Sequence, residues 1–191
     1  EMAAEYLRAI RQQQPQGPYA LAGYSFGGYV AYEMAQQLRA AGEEVGLVAL
    51  LDAYPSECWR DEPEPDEGAA LRALLAIAGF DPEQHANLVT QDQVLGFLRR
   101  NDSPLGALPH EIAEGVIKTV QGTNHLIRGH HEARFGGRII HVQAAAAHVG
   151  SALRPALWAP YAAEVEALPL DYLHSQLTTP EASREIAARI A

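Results

Sequence analysis

The stretch Tyr19-Ala-Leu-Ala-Gly-Tyr-Ser-Phe-Gly-Gly28 decides how this chain is read: a short apolar run ends in Gly23-Tyr-Ser-Phe-Gly27 and a helical pattern begins at once. Gly-x-Ser-x-Gly between a strand and a helix is the pattern of a nucleophile elbow, a tight turn that holds the serine strained and lifts its hydroxyl clear of the backbone. Gly23 and Gly27 are both expected to be small, because a Cβ at either would collide across such a turn. The helix that follows points its N-terminus at the serine, where unpaired N–H groups and the helix dipole favour negative charge. Ser25 is thus the candidate nucleophile and the Phe26 N–H a candidate oxyanion donor. A motif this short also arises by chance, so its meaning comes from the strand before it and the amphipathic helix after it.

The flanking sequence extends this unit. Upstream, Met2, Ala3, Tyr6, Leu7 and Ile10 share one helical face over Glu1 to about Gln13, and Pro15, Gly17 and Pro18 end that helix ahead of a strand over Tyr19 to Tyr24. Downstream, Val30, Ala31, Met34, Ala35 and Leu38 repeat at helical spacing up to Gly42, a residue suited to a helix stop. Val45 to Leu51 is apolar throughout, as in a strand buried on both faces of a parallel sheet. Strand, helix and strand at this spacing make a βαβ unit, whose ligands lie at the carboxyl ends of the strands. Asp52 stands at such an end.

From Tyr54 to about Arg134 the pattern becomes helical, after an acidic, proline-bearing connection Asp61-Glu-Pro-Glu-Pro-Asp-Glu67 that reads as a solvated loop. Leu71, Leu74, Leu75 and Ala78, then Val94, Leu95 and Leu98, then Ile112, Val116, Ile117 and Val120 form successive apolar faces. An all-helical insertion over about residues 55–134 is expected, placed by its connection to act as a lid; the alternative is a stack of helices with no gating role. Arg138 to Ala144 restores parallel-strand character, and a short strand near Leu168 to Leu173 ends at His174. Thr179-Pro180-Glu181 then has the pattern of an N-cap, a first-turn proline and an acidic first turn for the last helix.

Composition sets outer limits. With 191 residues, 48% hydrophobic and 20% charged, the chain fits one globular domain with room for an inserted subdomain. The net charge of −10 disfavours nucleic acid or an anionic membrane as the main partner. Cys58 is the single cysteine, so neither a disulfide framework nor a cysteine-based zinc site is expected, and a cytoplasmic location is the simplest reading.

A serine hydroxyl needs a histidine to take its proton and a carboxylate to fix that histidine's tautomer. In hydrolases of this βα type the order is serine, acid, histidine. Asp52, the first polar residue after a buried strand, is the expected acid. Among eight histidines, His148 and His174 both follow strands at the right edge. His174 is preferred because a helix begins a few residues later and its loop is short, and His148 is held in reserve. His141, inside a strand, reads as a satisfied core or surface residue. Metal-assisted hydrolysis is the competing chemistry, but His130-His131-Glu132 has no second cluster at useful spacing and reads as a solvated end of the insertion, so no metal is expected.

With Ser25, Asp52 and His174 in place, the chain resembles the thioesterase domains that terminate non-ribosomal peptide and polyketide synthases, members of the α/β-hydrolase superfamily. The likeness runs over most of the chain. It is carried by Gly17-Pro-Tyr19 leading into the elbow, by Ala31-Tyr-Glu-Met-Ala35, by Leu50-Leu-Asp-Ala-Tyr-Pro55 and by the helical insertion; Trp158-Ala-Pro-Tyr161 is most like the release domains of siderophore-type synthetases. The resemblance implies an α/β-hydrolase-like parallel sheet with flanking helices and a helical lid, whose first strands and second oxyanion donor would precede residue 1. It further implies transfer of an acyl or peptidyl chain from the phosphopantetheine thiol of a carrier protein to Ser25, then release as an acid or a macrocycle. Phosphopantetheine would belong to that partner, with no cofactor bound by this domain, and Tyr24, Ala53 and Pro55 would line the substrate pocket. At the histidine the family's Gly-Asp-His-Phe-like sequence is replaced by Tyr172-Leu-His-Ser175. A free-standing editing thioesterase, a general lipase or esterase, and a catalytically silent binding module are the other readings.

Overall fold

The computed structural model describes residues 1–61 and 67–190; the interior of the acidic loop 61–67 lies outside them. In chain order the elements are α1 (Met2–Gln13), β1 (Tyr19–Tyr24), α2 (Phe26–Ala40), β2 (Val45–Leu51), α3 (Glu57–Arg60), α4 (Glu67–Ile77), α5 (Gln91–Arg100), α6 (His110–Gly129), β3 (Phe135–Ala144), β4 (Ala162–Leu170) and α7 (Pro180–Ile190), with short 3-10 turns between some of them. Among the described residues the strands form one parallel sheet in the order β1-β2-β3-β4. The chain divides into two units, Glu1–Cys58 with His130–Ala191, and Trp59–Gly129.

In the sheet unit, β1 and β2 occupy the expected residues, and α2 starts directly after the serine. Gly42, at φ +80°, follows the end of α2 in the left-handed conformation that a helix stop uses. Helix α7 begins with Pro180, and Thr179 Oγ1 accepts from the Ala182 N–H at 3.4 Å. Ile186 of α7 packs with Ile140, Val142, Leu168 and Leu170, making one apolar layer on the sheet. Tyr32 of α2, fully buried, meets Phe135 and Trp158 in another part of the core.

Two expectations change in the sheet unit. Helix α1 buries Ala3 and Leu7, but Met2 and Tyr6 remain 39% and 52% exposed. Together with Ile10 they line an apolar groove of about 600 Å³ beside β1, which pairs with β2 alone among the described strands. The last strand is also longer and earlier than the pattern suggested, running from Ala162 to Leu170 and not from Leu168 to Leu173. Glu164 and Glu166 obscure its apolar alternation. They stand at the outer edge of the sheet, where Arg138 of the neighbouring strand pairs with both. An edge strand also tolerates Pro169, which lacks the ladder N–H.

Between β2 and β3 every described element is helical. The unit Trp59–Gly129 has its own core, in which Leu71, Leu74 and Leu75 of α4 meet Val94 and Leu98 of α5 and Ile117 of α6. Ile112, expected on the buried face, is 53% exposed, so α6 buries a narrower stripe than its apolar content implies. Thr90 and Gln93 close a reciprocal capping box at the start of α5, each side chain satisfying the other's backbone N–H.

Candidate active site

The parallel register sets the site. Tyr24, Leu51, Val142 and Leu168 form one row across the four strands. Ser25 and Asp52 each stand one residue past that row, so both side chains emerge at the carboxyl edge of the sheet. The Ser25 N–H continues the ladder by donating to Leu51 O at 2.9 Å, and the Asp52 N–H donates to Val142 O at 2.7 Å. Both residues then turn out of the sheet in the left-handed region, with φ 52° at Ser25 and 50° at Asp52. Two non-glycine residues strained side by side at a sheet edge indicate a functional turn.

The Asp52 side chain is 1% exposed, and its carboxylate is held by four donors from three stretches of chain. His174 Nδ1 lies 2.6 Å from Oδ2. His148 Nε2 lies 2.9 Å from Oδ1 and 2.9 Å from Oδ2. The Tyr54 hydroxyl and the Ala144 N–H each donate to Oδ1 at 3.1 Å. Burial alone would raise the carboxyl, but the hydrogen bonds from His174 and His148, the charge of His174 and the Ala144 N–H outweigh it and hold Asp52 below the usual carboxylate range. Asp52 is therefore an anion at neutral pH. A carboxylate that accepts from His174 Nδ1 fixes the tautomer in which Nε2 is free to take a proton.

The imidazole of His174 stands beside the elbow. Its ring centroid is 4.7 Å from that of Tyr24, the residue before Ser25, and the Tyr24 hydroxyl donates to His174 O at 3.1 Å. Burial first, and then the Asp52 charge, push the Tyr24 phenol up to about 12, so it remains a donor. Phe26 opens α2, which places its N–H in the first turn behind the serine.

Residues 1–101 of this chain match the family model for the thioesterase domain. The chain belongs to the thioesterase family. A dimodular nonribosomal peptide synthase of Bacillus subtilis (strain 168) is 32% identical over 100% of this chain, which spans 8% of that protein's length. The thioesterase domain of NocB, solved as a covalent complex with a fluorophosphonate nocardicin G analogue, is 27% identical, with a TM-score of 0.63 over 99% of this chain and 71% of that one. A four-domain nonribosomal peptide synthetase solved with AMP and glycine shares the fold at a TM-score of 0.77 and 22% identity, over 99% of this chain and 15% of its own. The parallel sheet with flanking helices is thus the α/β-hydrolase fold of these enzymes.

Within this thioesterase domain, sequence reasoning set His174 and His148 against each other, whereas the tertiary structure brings both onto the one carboxylate. They use different nitrogens, and only His174 carries the ring contact to Tyr24. Of the expected pocket residues, Tyr24 is partly accessible, whereas Ala53 and Pro55 are buried. Ala53 is 2% exposed, with its methyl turned towards Gly28. Its carbonyl accepts from Trp158 Nε1 at 2.7 Å and from His141 Nε2 at 3.0 Å, which anchors the corner that Asp52 turns. Tyr54 as a donor to Asp52 was missed; its signal was its place in Leu50-Leu-Asp-Ala-Tyr-Pro55. Glu132 is also not simply solvated, since its carboxylate accepts from the Ser56 N–H at 2.7 Å.

His141 has a measurable consequence. It is fully buried; Nε2 carries the hydrogen given to Ala53 O, and Nδ1 has no hydrogen-bond partner among the described residues. Burial pushes its pKa down from 6.5 to about 4. A histidine depressed on folding costs nothing above its unfolded pKa, but below it the unfolded chain binds a proton that the folded chain refuses. Stability should therefore fall by about 2 kcal/mol between pH 7 and pH 5 from this group alone. Urea unfolding at the two pH values checks this, because His141→Phe should remove that component of the slope.

Proposed function

We propose that this domain is a serine thioesterase that releases an acyl or peptidyl chain from the phosphopantetheine thioester of a carrier protein. The observation that carries this reading is the His174 Nδ1–Asp52 Oδ2 contact of 2.6 Å, made by an imidazole packed on the residue preceding Ser25. In the first step Ser25 Oγ attacks the thioester carbonyl, and its proton passes to His174 Nε2. The Phe26 N–H stabilises the oxyanion. Collapse of the tetrahedral intermediate breaks the C–S bond, and His174 returns the proton to the departing thiol, leaving an acyl ester on Ser25. In the second step water, or a nucleophile within the bound chain, loses its proton to His174 and attacks the ester. The product leaves as an acid or a macrocycle, and Ser25 recovers its proton.

The helical unit Trp59–Gly129 leaves the sheet shortly after Asp52 and returns into β3, and we read it as the lid that admits the chain. Tyr24, partly accessible, is assigned to the wall nearest the ester, and Ala53 and Pro55, which are buried, to the support of the corner that carries Asp52. No cofactor is assigned to the domain itself; the pantetheine arm comes with the carrier. Among the described residues no helix is long and apolar enough to cross a membrane. A cytoplasmic synthase, with the carrier in the same chain or a neighbouring one, is the setting we infer.

Release assays test the substrate class. The same acyl group is offered on a phosphopantetheinylated carrier and as a simple aryl ester. The expected result is a kcat/KM at least about tenfold higher for the carrier, equivalent to one further contact of about 1.4 kcal/mol. Equal or better turnover of the simple ester would make the domain a general esterase.

A further inference from the structure

The proton relay uses one of the imidazoles that bind Asp52 and leaves the other without a role. His148 ends the short 3-10 turn Ala145–His148 that follows β3, and its side chain is 14% exposed. A carboxylate can only accept, so Nε2 of His148 must carry hydrogen, and its equal distances of 2.9 Å to Oδ1 and Oδ2 make that hydrogen bond bifurcated. The ring is itself fixed, edge-on to Tyr54 with centroids 5.1 Å apart. Tyr54 and Ala144 reach Oδ1 only, each at 3.1 Å. Among these donors, His148 is the one that spans both oxygens.

This geometry matters because the final torsion of an aspartate is broad, so the carboxylate plane is set by its partners. Rotation that carried Oδ2 away from His174 would also carry an oxygen away from His148. We propose that His148 is a positioning residue that locks the plane of the Asp52 carboxylate, so that Oδ2 stays in line with His174 Nδ1. The proposal rests on the reading of Asp52 and His174 as acid and base. His148 acts through Asp52 and does not itself touch the acyl group.

The test compares His148→Phe, which keeps a ring against Tyr54 but has no N–H, with His148→Gln, whose amide N–H reaches about as far as Nε2. Thermal unfolding first establishes that each variant folds. In protein carrying 15N-labelled histidine, the low-field Nδ1–H resonance of His174, assigned by its loss in His174→Ala, should persist in His148→Gln and shift upfield or vanish in His148→Phe. Phosphonylation of Ser25 by a fluorophosphonate should slow by about 10- to 100-fold in His148→Phe, the usual scale for removing a supporting partner behind a functional group, and recover to within a few-fold in His148→Gln. An unchanged His174 resonance in His148→Phe would overturn the proposal, since Asp52 would then be held without His148. So would a folded His148→Gln that loses the resonance. The resonance needs no turnover, so it decides the positioning role separately from the catalytic assignment. That assignment would fail instead if the adduct in the unaltered chain formed at a residue other than Ser25.

Discussion

Replacing Ser25 by alanine is expected to abolish covalent labelling by a fluorophosphonate and to lower thioester release by about 10⁶-fold, the scale seen when the serine of such a relay is removed. The magnitude follows from chemistry split between two groups. Without the hydroxyl no acyl ester forms, and His174 has no proton to take. His174→Ala should cost a similar factor, because a serine without a base is not a nucleophile at neutral pH. The double variant should be little worse than either single one, since each removes the same unit. Intact-mass measurement after phosphonate exposure checks the first claim. A surviving adduct in Ser25→Ala would place the nucleophile elsewhere.

The second large effect is on stability and lies one turn away, at Gly23. A Cβ built at Gly23 would stand 2.0 Å from Gly27 O, 2.3 Å from Gly27 C and 2.6 Å from Gly28 N. These are backbone atoms at the start of α2, and they cannot move without undoing the elbow. Gly23→Ala should therefore cost at least about 3 kcal/mol, or roughly 10 °C in melting temperature for a chain of this size. Gly27→Ala is the control. A Cβ there meets nothing within 4 Å, so this variant should stay within about 1 kcal/mol of the unaltered chain, helped by the better helix propensity of alanine. This corrects the expectation that both glycines of the motif must be small. The second tight position is Gly28, where a Cβ would fall 2.4 Å from the Ala53 Cβ, packing α2 against the corner that carries Asp52. Thermal melts of the Gly23 and Gly27 variants decide between the two accounts.

The Gly27 result shows where reasoning along the chain ends. Motif symmetry made the two glycines look equivalent, but one sits inside the turn and the other on its open side, and only the path of α2 distinguishes them. The same limit applies at β4. Its residues were hidden by glutamates, whose partner Arg138 is distant in sequence and adjacent in the sheet.

What the sequence determined by itself is local. The apolar run of β1, the Gly23 to Gly28 turn, the helical period of α2, the unbroken apolar β2 and the Thr179-Pro180 start of α7 are short-range patterns, and each folds as its own residues dictate. The position of Asp52 follows from that local order, because a strand end in a parallel sheet fixes where the next residue emerges. The tertiary structure alone decided what meets Asp52. Tyr54 is local to Asp52, but the stretch carrying Ala144 and His148 and the loop carrying His174 are distant in sequence, and their convergence depends on the strand order β1-β2-β3-β4 and on the register that aligns Leu51, Val142 and Leu168. Sequence spacing carries no information about which of two histidines offers Nδ1 and which Nε2. That choice is made by the ring contacts that orient each imidazole, Tyr24 for His174 and Tyr54 for His148.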